Sequence, residues 1–554
     1  MDKMIEVNYK GKDSKQFLEG TTLFEISYDY KKFYNYPILI AKVNNEIEEL
    51  SHKIYKRSNI DFYDRSTIIG NTIYGRSLQF ILVLAVKRVL GKEADVLIEH
   101  SMDKGFYCEI QGVDINLKML KDVENGMKEI VSRNLLFHKI SVSRSDAIAY
   151  FKKHKQIDKV KVLSYISNSY VNLYQLEDVY DYFYGDLAYS TGQIDSFILT
   201  YIKNNGFVVS YPTISNPECT LDYIHREKLF NKFLEYTNWG RQLKISNAAD
   251  LNDLIANGKY KEVIQISEYY SNIQLMDIAK EIYDNRKTIK LVLLAGPTSS
   301  GKTTTAKKLE LFLQASGVKT HQISVDNYFL PREKTPKTED GEYDFESIRA
   351  IDINLFNRHL NKLINNEKVL LPEFNFITGK REYHKNWLQI GDDDVIILEG
   401  LHALNNELTL VVDRKNKYKI YVSPLTQLNI DKHNRIHTSD IRRLRRIVRD
   451  NQYRGYSASD TLHRWKEVTK GEEKNVFSLQ DDVDVVVNSA LIYEIGVLKT
   501  FVEPLLFSVN ENDEVYPEAI GLINLLRNFL PIPTEDIPKD SVLREFIGHS
   551  FFKQ

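Results

Sequence analysis

The chain has 554 residues, which at about 100–200 residues per domain implies three or more domains. Its 43% hydrophobic and 27% charged content, with only 13 Pro and 25 Gly, excludes long disordered or low-complexity tracts, and a formal net charge of -2 excludes polyanion binding by the chain as a whole while leaving a local basic patch open. Two distant cysteines, Cys108 and Cys219, exclude a disulfide framework and a Cys-based zinc motif, and fit a reducing, cytoplasmic setting.

From the start, Met1-Asp2-Lys3-Met4 leads into polar, alternating sequence with no apolar signal-peptide core. Ile5–Tyr9 alternates as a strand, Gly11-Lys12 turns, and Gly20–Ile26 reads as a turn entering a helix. Tyr36–Val43 is a buried strand candidate, so residues 1–62 read as a small sheet with one helix. Residues 63–225 mix both types: an apolar helix over Leu78–Leu90, a strand pair at Asp95–His100 and Phe106–Ile110, and a strand at Phe207–Pro212. The longest apolar run, Phe80–Val86, is far short of the roughly 20 residues of a membrane span, so no membrane partner is expected. Residues 226–286 read as a polar helical connector.

The pattern changes at Lys290. Lys290–Ala295 is continuously apolar, as a parallel strand buried on both faces must be. Strands at Val395–Leu398, Tyr418–Val422 and Val483–Val487 then alternate with helical segments to the end, which predicts an α/β domain over 287–554.

Gly296-Pro297-Thr298-Ser299-Ser300-Gly301-Lys302-Thr303 follows that first strand and precedes the helical run from Thr304. It fits G-x-x-x-x-G-K-[ST]: glycines let successive N–H groups curl round phosphates, and the helix N-terminus favours an anion. Ser299, Ser300, Gly301 and Thr304 would then bind ATP with Gly296, Lys302 would reach the β- and γ-phosphates, and Thr303 would ligate Mg²⁺. A chance match in a Gly/Ser turn is the bland alternative, and the strand before and helix after weigh against it.

Asp326 ends a second apolar strand, where a carboxylate can take a proton from an acceptor hydroxyl, serve the metal, or simply close a turn. Glu399 ends Val395–Leu398, the place of a Walker-B-type metal group or of a plain strand-end acid. Asp344-Phe345-Glu346 could hold sugar hydroxyls or form a capping loop. Ser439–Asp450 has apolar residues at 441, 444, 447 and 448, a helix with one buried face, and sets Arg442, Arg446 and Arg449 along one side. Guanidinium forks there suit a transferring phosphoryl group, and Arg454 follows; a solvated or RNA-binding face is the alternative.

In order, these elements and Pro372–Phe376 make residues 288–500 resemble the uridine kinase family, kin of phosphoribulokinase. The resemblance implies an ATP-dependent nucleoside kinase of salvage type using Mg²⁺, with Asp326 as base, Lys302 and Arg446 on the phosphoryl group, and Glu399 beside the metal. It implies Asp344, Glu346, Phe374 and Arg449 around the nucleoside and Arg454 on ATP, and it makes a homo-oligomer an expectation. Phe374 stands where the family often has Tyr, Gly379 where it often has His, and Tyr456 where the lid often has Arg, so uracil selection is the part of the resemblance these departures affect.

Residues 5–60, through Gly20–Leu23, resemble a TGS domain, a β-grasp fold. Residues 63–225, through Arg76–Ala85, Gly105–Tyr107 and Ser190–Gly192, resemble the editing domain of threonyl-tRNA synthetase. The family's His-x-x-x-His becomes Arg76 to Phe80, and its later Cys and His fall at Phe183 and Leu187, so no editing hydrolysis is expected. The expected fold is multidomain: a TGS-like β-grasp domain, an α+β editing-like domain, and an α/β P-loop kinase with a mostly parallel sheet. The rival readings are an RNA- or ribosome-associated NTPase that binds RNA through the N-terminal half, and a kinase for another small alcohol such as a sugar phosphate.

Overall fold

The computed structural model describes residues 3–552 except 12, 204, 338–340, 342, 345, 376–377, 427 and 481, and for 474 and 478 the backbone only. Met1, Asp2, Lys12, Phe345 and Phe376, named above, lie outside the described residues.

The first sheet has the β-grasp arrangement. Its five strands run in the order Asp13–Leu18, Met4–Tyr9, Ser58–Asp64, Ile38–Val43, Glu46–Glu48, with Met4–Tyr9 parallel to Ser58–Asp64. The helix Leu23–Tyr30 starts at a capping box: Thr22 Oγ1 accepts from the N–H of Glu25, whose carboxylate accepts from Thr22 N. Its Leu23, Ile26 and Tyr30 are buried with Val7, Ile60 and Phe62. The strand Ser58–Asp64 carries this sheet past residue 62.

The next unit is an antiparallel four-stranded sheet, Ile198–Lys203, Gly206–Ser210, Gly105–Gln111, Asp95–Met102. The helix Ile68–Leu90 begins ten residues earlier than the expected start at Leu78. By length and hydropathy (1.3) it is apolar enough to cross a membrane, but 72% of that apolar window is buried inside the fold. It packs with Leu117–Ser132 in one core with the sheet. A second, three-stranded sheet, Val179–Tyr182, Tyr170–Leu176, His138–Ser143, completes this part.

Residues 226–286 form three helices, Glu227–Leu243, Ala248–Ala256 and Tyr260–Asp284. They do more than connect. Phe230 and Phe233 enter the core of the C-terminal sheet, Leu251 and Ile264 enter that of the arginine helix, and Ile278 and Ile282 pack behind the first parallel strand.

The C-terminal sheet is all parallel, in the order Thr320–Ser324, Val395–Glu399, Leu291–Ala295, Lys417–Ser423, Val485–Asn488. Every residue of Leu291–Ala295 is buried, because helices cover both faces. The expected alternation to the chain end stops at Asn488. Beyond it the described residues form the helices Glu494–Phe507, Tyr516–Leu526 and Arg544–Ile547, which pack against the arginine helix Thr438–Arg454.

The segment just before that helix is built into the N-terminal half. Asn429 Nδ2 donates to the carbonyls of Ile98 (3.0 Å) and Glu99 (2.7 Å). Lys159, fully buried, lies 2.6 Å from Asp181 and 3.1 Å from Asp431, and His433 Nδ1 is 2.6 Å from Asp181. Burial pushes the His433 imidazole down, but the Asp181 carboxylate more than reverses this, and it ends raised to about 9.

Candidate active site

The phosphate loop turns sharply between Leu291–Ala295 and the helix Lys302–Ala315. Two glycines are fixed by space and conformation. A Cβ on Gly296 would stand 2.0 Å from the carbonyl oxygen of Val422, and Gly301 has φ +81° with a would-be Cβ 2.4 Å from Val542. Ser299 also takes a left-handed conformation, at φ 58°. The hydroxyls of Ser299 and Ser300 are buried without a hydrogen-bond partner among the described residues, and Lys302 Nζ donates to Pro297 O at 3.0 Å.

Two carboxylates from far along the chain reach this loop. Glu472, on the helix Trp465–Asn475, accepts from Thr298 N at 2.6 Å and pairs with Arg442. Glu545, on the last short helix, accepts from Thr304 N at 3.0 Å and Thr304 Oγ1 at 2.7 Å. Both therefore hold N–H donors of the loop and helix N-terminus, the groups a phosphate would use.

Asp326 follows Thr320–Ser324, and Glu399 ends the adjacent strand with Ser324 as its register partner. A Cβ on Gly400 would lie 3.6 Å from Asp326 Oδ1, so the two acids share one corner. Burial pushes the Asp326 carboxyl up against the pull of Lys302 and Arg454; burial and the charge of Asp326 push Glu399 well above the usual range. Thr303 opens the helix beside Lys302. These hard oxygens fit a Mg²⁺ held through one or two carboxylates and phosphate oxygens, since a divalent charge would reverse the upward push on both acids. Among the described residues no cluster of three acidic, His or Cys groups forms an all-protein cage.

Glu346 joins the same pocket. Its backbone carbonyl accepts from Asn475 Nδ2 at 2.8 Å, and burial, then the charge of Glu472, raise its carboxyl to about 7 against Arg446 and Lys302. Asp344 is half-buried, its N–H donating to Pro336 O. Phe374 is buried against Phe329, ring centroids 5.6 Å apart, and its N–H donates to Asn327 Oδ1. Gly379 sits in the following hairpin turn at φ +66°, where a Cβ would come 2.9 Å from Arg332. Conformation and space both favour glycine there over histidine.

The arginine helix is buried on more sides than its periodicity predicted: Arg442, Arg443, Arg445 and Arg446 are all buried. Arg442 donates to Thr298 O at 3.1 Å and so touches the phosphate loop. Arg446, Arg449 and Arg454 instead gather on Asp450, at 3.1, 2.8 and 3.4 Å. Sequence reasoning missed Arg445, which is fully buried and braces the loop through Ser299 O, Ser489 and Glu494. It also missed Glu472, Glu545 and His402. His402 lies three residues past Glu399 and is 1% exposed; burial holds it neutral, pushed down to about 4, against a hydrogen bond to the Glu346 backbone.

In the N-terminal half, the positions where the resemblance would put metal ligands are filled by packing. Phe80 stacks near Phe137 and Phe183, Leu187 is buried beside them, and Arg76 lies over the Tyr184 ring and donates to Asp186 O.

Residues 291–493 match the family described as Phosphoribulokinase / Uridine kinase family. The uridine kinase of Mycoplasma genitalium is 30% identical over 178 residues, which cover 32% of this chain and 74% of that protein. The chain belongs to the phosphoribulokinase/uridine kinase family. Another family member, the uridine kinase of Mycoplasma pneumoniae, is 28% identical over 205 residues, 37% of this chain and 86% of that one. The N-terminal half is similar to a different protein: the threonine–tRNA ligase of Desulforamulus reducens is 25% identical over 198 residues, 35% of this chain. There the chain spans only 31% of the ligase's length.

Proposed function

We propose that the chain is an ATP-dependent phosphotransferase that phosphorylates the 5'-hydroxyl of a nucleoside. The observation that carries this reading is the convergence of Lys302, Asp326, Glu399 and Glu346 at the carboxyl ends of adjacent parallel strands beside the phosphate loop. Kinship with proteins named uridine kinase supports the nucleoside as acceptor. Asp326 takes the proton of the acceptor hydroxyl as its oxygen bonds to the γ-phosphorus and the bond to ADP breaks. Lys302 offsets charge on the phosphates, and Glu346 orients the acceptor's hydroxyls. Thr303 and Glu399 would hold Mg²⁺, which would neutralise charge on the phosphates. Phe374 in place of a polar edge contact argues for loose base selection.

The test is product analysis after incubation with ATP-Mg²⁺ and a panel of ribo- and deoxyribonucleosides, with Lys302→Ala and Asp326→Asn alongside. A monophosphate formed by the wild type and lost in both variants supports the reading. No phosphorylated nucleoside from any panel member sinks it. The likeness to threonine–tRNA ligases favours a second reading, RNA-linked ATP hydrolysis; RNA-stimulated ADP release without acceptor phosphorylation would select it.

A further inference from the structure

The helix Tyr260–Asp284 has two apolar faces. Ile264, Leu275, Ile278 and Ile282 are buried within the chain. On the opposite side Ile266, Tyr269, Ile273 and Met276 are 44%, 62%, 54% and 54% exposed. The solvent side of a surface helix is ordinarily polar. Here it carries large apolar groups at 3-4-3 spacing, the a/d seam of a coiled coil.

The seam matches a copy of itself. Set antiparallel about a two-fold axis at Ser271, Ile266 meets Met276 of the second copy, and Tyr269 meets its Ile273. Four a–d layers result. One step further out, Glu262 meets Lys280 of the copy. Both are exposed, and neither has an ion-pair partner among the described residues. A parallel pairing would instead set Glu262 against Glu262.

We infer that two copies of the chain join through this face, helix to helix and antiparallel. The surface lies outside residues 291–493, which carry the family match, and the inference is independent of the substrate. Contiguous exposed apolar groups of this kind mark interaction sites on soluble proteins. Four layers fall below the roughly 800 Å² per partner of a standard stable interface, so the dimer is reversible and concentration-dependent.

Sedimentation equilibrium of the full chain tests this. The wild type is expected to show a monomer–dimer equilibrium at micromolar concentration, and Ile273→Asp to stay monomeric with an unchanged thermal melt, because Ile273 is exposed. Glu262→Lys sets like charges at both ends of the seam and should raise the dissociation constant about tenfold; adding Lys280→Glu should restore it. A wild type that stays monomeric, or a dimer indifferent to Ile273→Asp, overturns the inference. Failure of the double exchange to restore association overturns the antiparallel register.

Discussion

Replacing Glu545 by Gln gives a direct test of how the phosphate loop is occupied. The Glu545 carboxylate accepts from Thr304 N and Thr304 Oγ1, so a nucleotide phosphate bound there must displace it. A hydrogen bond to a charged group is worth roughly 1.5–3 kcal/mol net, and a neutral one roughly 0.5–1.5. Glutamine keeps the shape and loses the charge, which lowers the cost of displacement by about 1 kcal/mol per bond and about 2 kcal/mol in all. At 1.4 kcal/mol per decade that is up to about thirtyfold tighter ATP binding. Glu545 is half-buried, so solvent screening reduces the gain, and about five- to thirtyfold is the expected range. Isothermal titration with ATP-Mg²⁺ measures it. The same variant should lose about 1–2 kcal/mol of stability in a denaturant melt, because the last helix is less firmly held. Unchanged or weaker ATP binding would refute the reasoning and make Glu545 part of the bound state.

Asp326→Asn should lower kcat by about 10²–10⁴ with ATP affinity nearly kept, which single-turnover and binding measurements separate. With the Glu346 carboxyl at about 7, acceptor affinity should strengthen as pH rises through 7, and Glu346→Gln should flatten that profile. His433 is raised to about 9 in the folded chain, so its stabilisation is complete below its unfolded value near 6.5 and fades as pH rises through 9. Unfolding free energies from denaturant melts across that window should fall by at most about 1.4 kcal/mol per pH unit, and His433→Gln should remove the dependence. Lys159→Ala strands Asp181 and Asp431 in the interior and should cost about 3–5 kcal/mol in the same assay.

The sequence carried those parts of the site whose chemistry is local. A phosphate loop needs its glycines and lysine in one run, and Thr22 and Glu25 state the start of a helix within four residues. An acid closing an apolar strand, as Glu399 does, is visible for the same reason. Glu472 and Glu545 were not visible, because they reach the loop across 174 and 241 residues of chain. The arginine helix was read as having one buried side since only its apolar residues show a period. Its arginines are buried as well because Glu472, Glu494 and Glu518 supply partners from elements whose packing no local pattern encodes. Gly379 read as a loss of a base contact, and its turn geometry gives a second reason for glycine there.

The docking of Asn429, Asp431 and His433 into the N-terminal half bears on how this chain can be taken apart. A chain started after residue 225 would keep the phosphate loop and every acid of the site, yet the strip leading into the arginine helix would lose its floor. Asp431 would lose Lys159, His433 would lose Asp181, and Asn429 would lose two carbonyls. The N-terminal half, with Phe80, Phe183 and Leu187 packed in its core, is thus the bedplate on which the arginine helix is mounted, and separating the two would require redesigning the seam.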